Sequence, residues 1–108
     1  MADPTYRAVL LADAVEALRP GAAGFADDLV ALWRPWGFRV ADLPAGALLF
    51  HGGQDTRAQP DFECLAATLP GVRPTVWPGQ GHHGVLSRWD EVLAGVVSAV
   101  EQGKREAY

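Results

Sequence analysis

ALLFHGGQDT, residues 47 to 56, runs from four apolar residues into His51, Gly52 and Gly53, and after one more residue reaches Asp55. A short, wholly apolar run that stops at glycines reads as a strand covered on both faces, the kind found inside a parallel sheet. The loop that follows admits two readings. Its glycine amides could face a developing negative charge, or its aspartate could orient another side chain. The rest of the chain has to decide between them.

Downstream, residues 60 to 69 place Phe62, Leu65, Ala66 and Leu69 at the i, i+3, i+4, i+7 spacing of one helical face. Val72 to Trp77 then suits a second strand despite Pro74. Strand, helix and strand joined this tightly imply a right-handed parallel βαβ unit. In the last element Ser87 reads as N-cap with Asp90 three residues on, and Trp89, Val92, Leu93, Val96, Val97 and Val100 share a face expected to meet the core. Upstream, residues 3 to 19 read as a helix with Asp3 as N-cap and Pro4 first, and Leu10, Leu11, Ala14, Val15 and Leu18 on one side. A second helix over 23 to 34 carries Phe25, Leu29, Leu32 and Trp33, and Pro35 with Gly37 halts it.

The expectation is therefore a single α/β domain: a helical hairpin in residues 1–44, a βαβα portion in 45–101 and a tail in 102–108. Two parallel strands alone leave two open edges, so the chain reads as part of a larger sheet. Another chain supplies the remaining strands, or identical copies pair edge to edge. Marginal stability or oligomerisation follows.

Composition narrows the function. With a net charge of −4 and nine Lys and Arg residues scattered along the chain, no basic surface for nucleic acid is indicated. There is no basic region followed by an apolar core and cleavage site, and no apolar stretch near the ~20 residues that span a bilayer, so no membrane partner is expected and the reading is cytoplasmic. The lone Cys64 excludes an internal disulfide and a thiolate zinc cluster, and it points away from the apolar face of its helix. His51, Asp55, His82 and His83 are conceivable metal ligands, but adjacent histidines do not easily aim at one ion and no HExxH pair occurs, so no metal or cofactor is expected. Trp33 and Trp89 fall on helical core faces. Trp36, in the break RPWGF, is free to line a cap or a substrate mouth.

Functional groups in open parallel sheets gather beyond the carboxyl ends of the strands. HGGQD leaves the first strand and PGQGHHG the second, so Asp55 and His82 should emerge on one rim. A carboxylate on one imidazole nitrogen fixes the tautomer and stabilises the imidazolium, while the other nitrogen takes a proton from a hydroxyl. Plainer readings stand beside this: Asp55 as a turn-former and His82 as an exposed loop histidine. His83 is expected to pack or face solvent, and His51 to sit at the strand end with its ring against the core or a neighbouring loop.

From Ala45 to about Val97 the chain resembles the C-terminal part of an α/β-hydrolase. In that family a strand ending in His-Gly or similar, then Gly-x-x-Asp and a proline, bears the catalytic acid. Gly-x-Gly-His after the next strand bears the catalytic histidine. Gly52-Gly53-Gln54-Asp55 with Pro60 matches the first pattern, and Gly79-Gln80-Gly81-His82 the second. Residues 21–43 resemble the segment joining cap and acid strand in some members. The resemblance implies a partial α/β-hydrolase fold and hydrolysis of an ester or amide of a small acyl substrate, with Asp55 orienting His82, and His82 acting as general base and then acid. It favours the acid loop over the anion-facing loop, which would need a Gly-x-Ser-x-Gly elbow further along. There is none. Ser87 is assigned to a helix cap, and Ser98 lies opposite the apolar face of the last helix. The nucleophile would have to come from an N-terminal hydrolase half, the chain being a truncated product or half of a split enzyme. Without it a loss on the order of a millionfold is expected. The alternative is a non-catalytic, self-associating fragment or binding module.

Overall fold

The computed structural model describes residues 3–107 and is mixed α/β, with five helices and a two-stranded parallel sheet. The chain divides between Arg39 and Val40 into two compact units. The first holds α1 (Pro4–Ala17) and α2 (Ala23–Trp33). α1 starts where Asp3 Oδ1 accepts the Thr5 N–H at 2.9 Å, with Pro4 at a position whose amide would have no helical partner. α2 stops at Arg34, which is extended (φ −80°, ψ 154°) because a following proline disfavours the helical conformation. Neither helix buries a residue, and Leu11, Val15, Leu18, Phe25, Leu29 and Leu32 stay open. Trp33, assigned to a core face by its spacing, is 88% exposed. Trp36 folds back locally, its Nε1 donating to the Leu32 carbonyl at 3.2 Å and its ring 5.7 Å from that of Phe38.

The second unit opens with a 3-10 turn (Val40–Asp42) and continues as β1 (Leu48–Gly52), α3 (Gln59–Thr68), β2 (Arg73–Trp77), α4 (Gly84–Ser87) and α5 (Trp89–Glu106). β1 and β2 run parallel, with Leu48 opposite Arg73 and Gly52 opposite Trp77. On one face His51 stacks on Phe62 of α3, ring centroids 4.6 Å apart. On the other, Leu48 and Phe50 lie beneath Gly95 of α5, so close that a Cβ there would be 3.3 Å from Leu48 Cδ1. Opposite Gly52 in the ladder, Trp77 stacks on Phe50 at 5.2 Å and is 5% exposed. Its Nε1 donates to Glu91 Oε2 at 2.9 Å, and Arg88 donates to the other Glu91 oxygen at 2.6 Å, which ties the first turn of α5 to the end of β2.

The last helix differs from its sequence reading in two ways. Ser87 does not cap it: Ser87 ends the short α4, its Oγ donating to the Gly84 carbonyl at 3.0 Å, and Arg88 occupies the N-cap of α5. The apolar stripe does not meet the core either. α5 approaches β1 closely at Gly95 and half-buries Val92, while Trp89, Leu93, Val96, Val97 and Val100 of the stripe remain exposed. α5 also runs on through residues 102–106, with Asp90 and Glu91 in its first turn and Lys104 and Arg105 in its last, both favourable to the helix dipole. No helix among the described residues is long and apolar enough to cross a membrane.

Since Trp77 is buried, stacks on Phe50 and ties β2 to α5 through Glu91, Trp77→Ala is expected to cost about 3–5 kcal/mol and to abolish cooperative unfolding of this unit. Trp77→Phe, which preserves stacking on Phe50, should cost clearly less. Denaturant titrations followed by far-UV circular dichroism measure both.

Candidate functional site

β1 and β2 end side by side, so the loops that leave them rise from one rim, and backbone hydrogen bonds stitch them together. Gly53 N–H donates to the Trp77 carbonyl at 2.9 Å, and Gln54 N–H to the Gln80 carbonyl at 2.9 Å. Asp55 N–H closes its own turn onto the Gly52 carbonyl at 2.9 Å. In the histidine loop Gly79 takes φ +78°, a conformation other residues adopt only under strain. That loop crosses Gly52 so closely that a Cβ there would stand 2.1 Å from the Gly81 carbonyl oxygen and 2.7 Å from that of Gln80. The His-Gly-Gly stretch is thus a seat for the second loop. The amide of Gly53 is already committed to Trp77.

The seating brings Asp55 and His82 into contact, with His82 Nδ1 2.6 Å from Asp55 Oδ2. The other carboxylate oxygen accepts the Ala58 N–H at 3.3 Å. The Asp55 side chain is 9% exposed and that of His82 70%, so the carboxylate is sheltered while the imidazole faces outward. The hydrogen bond from His82 holds the Asp55 carboxyl below its ordinary range; burial works against this, and the Ala58 amide and the electrostatic influence of His82 and His51 add to it. An ionised carboxylate only accepts, so the shared proton sits on Nδ1, and in the neutral ring Nε2 is the acceptor. Beside the pair lies a cleft of about 430 Å³ lined by Asp55, Arg57, Ala58, Asp61, His82 and His83, within the size range of small-molecule sites.

The other sequence candidates separate from this pair. His51 is buried with its Nε2 2.8 Å from Gln59 Oε1, and Gln59 Nε2 donates to Glu63 Oε1 at 2.8 Å, which fixes the amide so that His51 is the donor. It braces β1 against α3. His83 meets His82 edge to face, ring centroids 5.1 Å apart. No group of three or more His, Cys, Asp or Glu side chains gathers into a metal site among the described residues. Cys64 is exposed on α3. Ser87 Oγ is engaged with Gly84 and, at 3.3 Å, with Gln80 Oε1, so it supports the histidine loop. Sequence reasoning missed two contributors. Gln80 acts through its backbone carbonyl, which no residue type advertises, and Glu91 acts through Trp77; an acid in the first turn of α5 was the available hint.

Asp55 has a folded-state pKa below its ordinary 3.8, so the stabilisation from its pairing is complete above that value and is lost as pH falls through the lower folded value. Wild type should therefore exceed Asp55→Asn in stability at about pH 6, the gap closing below about pH 3.8, as read from unfolding midpoints across acid pH. Gly52→Ala should cost about 1–3 kcal/mol through the clash with the Gly81 carbonyl and shift the His82 ring resonances, while a Gly103→Ala control, with open space around it, leaves them in place. No family model, curated protein or solved structure matches the chain.

Proposed function

We propose that this chain is the acid-and-histidine portion of an α/β-hydrolase-type catalyst, acting on the ester or amide carbonyl of a small acyl substrate when an N-terminal hydrolase half supplies the nucleophile. The observation that carries this is the hydrogen bond of 2.6 Å between His82 Nδ1 and a sheltered Asp55, formed across two loops at the carboxyl ends of parallel strands. It leaves Nε2 as the proton acceptor a hydroxyl nucleophile requires.

The chemistry follows from that assignment. As the nucleophile's oxygen bonds to the carbonyl carbon, its proton passes to His82 Nε2, and Asp55 stabilises the resulting imidazolium without itself taking the proton. The same proton then goes to the leaving alkoxide or amine as the tetrahedral intermediate collapses to an acyl-enzyme. Water repeats the cycle: His82 removes its proton while its oxygen attacks the acyl carbon, and returns a proton to the nucleophile as the acid departs. The cleft beside His82 is large enough for a small acyl group.

The chain by itself is expected to take no label from a serine-directed fluorophosphonate and to cleave p-nitrophenyl acetate no faster than free imidazole. Complemented with an N-terminal hydrolase half bearing a serine elbow, it should turn the ester over. His82→Ala should then reduce kcat by on the order of 10⁶-fold, and Asp55→Asn by about 10⁴-fold. Turnover that survives either substitution would overturn the proposal.

A further inference from the structure

The two edges of the sheet are built differently. The ladder is bracketed by Arg73 N–H to the Ala47 carbonyl and Gly53 N–H to the Trp77 carbonyl, each 2.9 Å. In a parallel pair alternate residues face the neighbour, so Leu49 and His51 turn their amides and carbonyls toward β2, and Arg73, Thr75 and Trp77 turn theirs toward β1. The outer edge of β2 then presents Pro74, Val76 and, just beyond the strand, Pro78. Two of these three positions have no N–H to donate. Proline at outward positions is how natural sheets close an edge.

The outer edge of β1 presents Leu48, Phe50 and Gly52, and each has its N–H. Among the described residues nothing hydrogen-bonds to the main chain of Leu48 or Phe50 on that side. Neither proline nor charge guards it: residues 45–53 contain no proline and residues 43–54 no charged side chain, and only its end at Gly52 is covered, by the turn in which the Asp55 N–H donates to the Gly52 carbonyl. This is an interior strand with one neighbour missing.

We infer that a second copy of this chain pairs with β1 along this edge, antiparallel about Phe50. A two-fold axis there sets Phe50 opposite Phe50 of the other copy, where each N–H meets a free carbonyl, and Leu48 opposite Gly52, whose carbonyl would be shared between the Leu48 N–H and the Asp55 N–H it already accepts. The uncharged run puts no like charges face to face. α5 rides directly over Leu48 and Phe50, the strand at the open edge. The same axis therefore makes the two α5 helices neighbours on one face of a four-stranded sheet, with their exposed Trp89, Leu93, Val96, Val97 and Val100 as apolar surface for the contact. Being antiparallel, the joined β1 strands carry their Asp55–His82 pairs to opposite ends. The pairing concerns the chain by itself and does not rest on the hydrolytic reading; an N-terminal half that pairs with the same edge of β1 would displace the second copy.

Sedimentation equilibrium and residue-resolved amide exchange on the full 108-residue chain test it. The expected mass is that of a dimer, 2 × 11.5 = 23.0 kDa. The Leu48 and Phe50 amides should exchange at least about tenfold more slowly as protein concentration rises through the association range, while Val76 exchange stays constant. Leu48→Pro, which removes an outward N–H and leaves the β1–β2 ladder its bonds, should weaken association by about 100-fold, and Val76→Pro should leave it unchanged. A mass of 11.5 kDa at all concentrations, or an assembly that protects Val76 or leaves Leu48 and Phe50 unprotected, overturns the inference.

Discussion

Everything at the site depends on β1 and β2 pointing the same way. Because they are parallel, Gly52 and Trp77 end side by side, and the loops that follow start within hydrogen-bonding distance of each other. Antiparallel pairing of the same strands would put Asp55 and His82 at opposite ends of the sheet. The direction is enforced by α3, whose return crossover is too long for a hairpin and which is braced to β1 by the stacking of His51 on Phe62. The bare Cα of Gly52 then lets the histidine loop settle onto the strand end, and the amides of Gly53 and Gln54 hold it there.

Three histidines show how environment assigns a role to one side chain. His51, buried and donating to an amide oxygen, is spent on packing. His82 has one nitrogen committed to a carboxylate and its ring outward, which is what proton transfer requires. His83 shares the cleft and packs edge to face with His82. Trp77 couples these arrangements to stability: its indole holds α5 through Glu91, while its carbonyl receives the Gly53 amide from the acid loop and, at 3.3 Å, the Gln80 amide from the histidine loop. Loosening Trp77 therefore loosens the Asp55–His82 pair as well.

The sequence was most legible where a local pattern determines a local outcome. The apolar run before His51, the helix of residues 59–68 and the adjacency of Asp55 and His82 follow from period, length and the rule that parallel strands put their carboxyl ends together. It was least legible where burial decides. The stripe on α5 marks Trp89, Leu93 and Val97 as apolar, but an apolar residue does not say what covers it, and close approach to β1 selected Gly95. Trp33 misled for the same reason. Ser87 and Asp90 have the spacing of a capping box, yet four residues were used to build α4, a turn too short to leave a periodic trace. The reason for His-Gly-Gly was hidden because it lies in a contact with Gly81, 29 positions away in sequence (81 − 52).

The central claim is a proton held between Asp55 and one nitrogen of His82, and the ring itself reports it. Long-range ¹H–¹⁵N correlation spectra followed across pH should show the neutral form of the His82 ring as the Nδ1–H tautomer, with Nε2 unprotonated, and Asp55→Asn should return it to the tautomer mixture of an unrestrained imidazole. A wild-type His82 already in that mixture, indifferent to the loss of the Asp55 charge, would contradict the account.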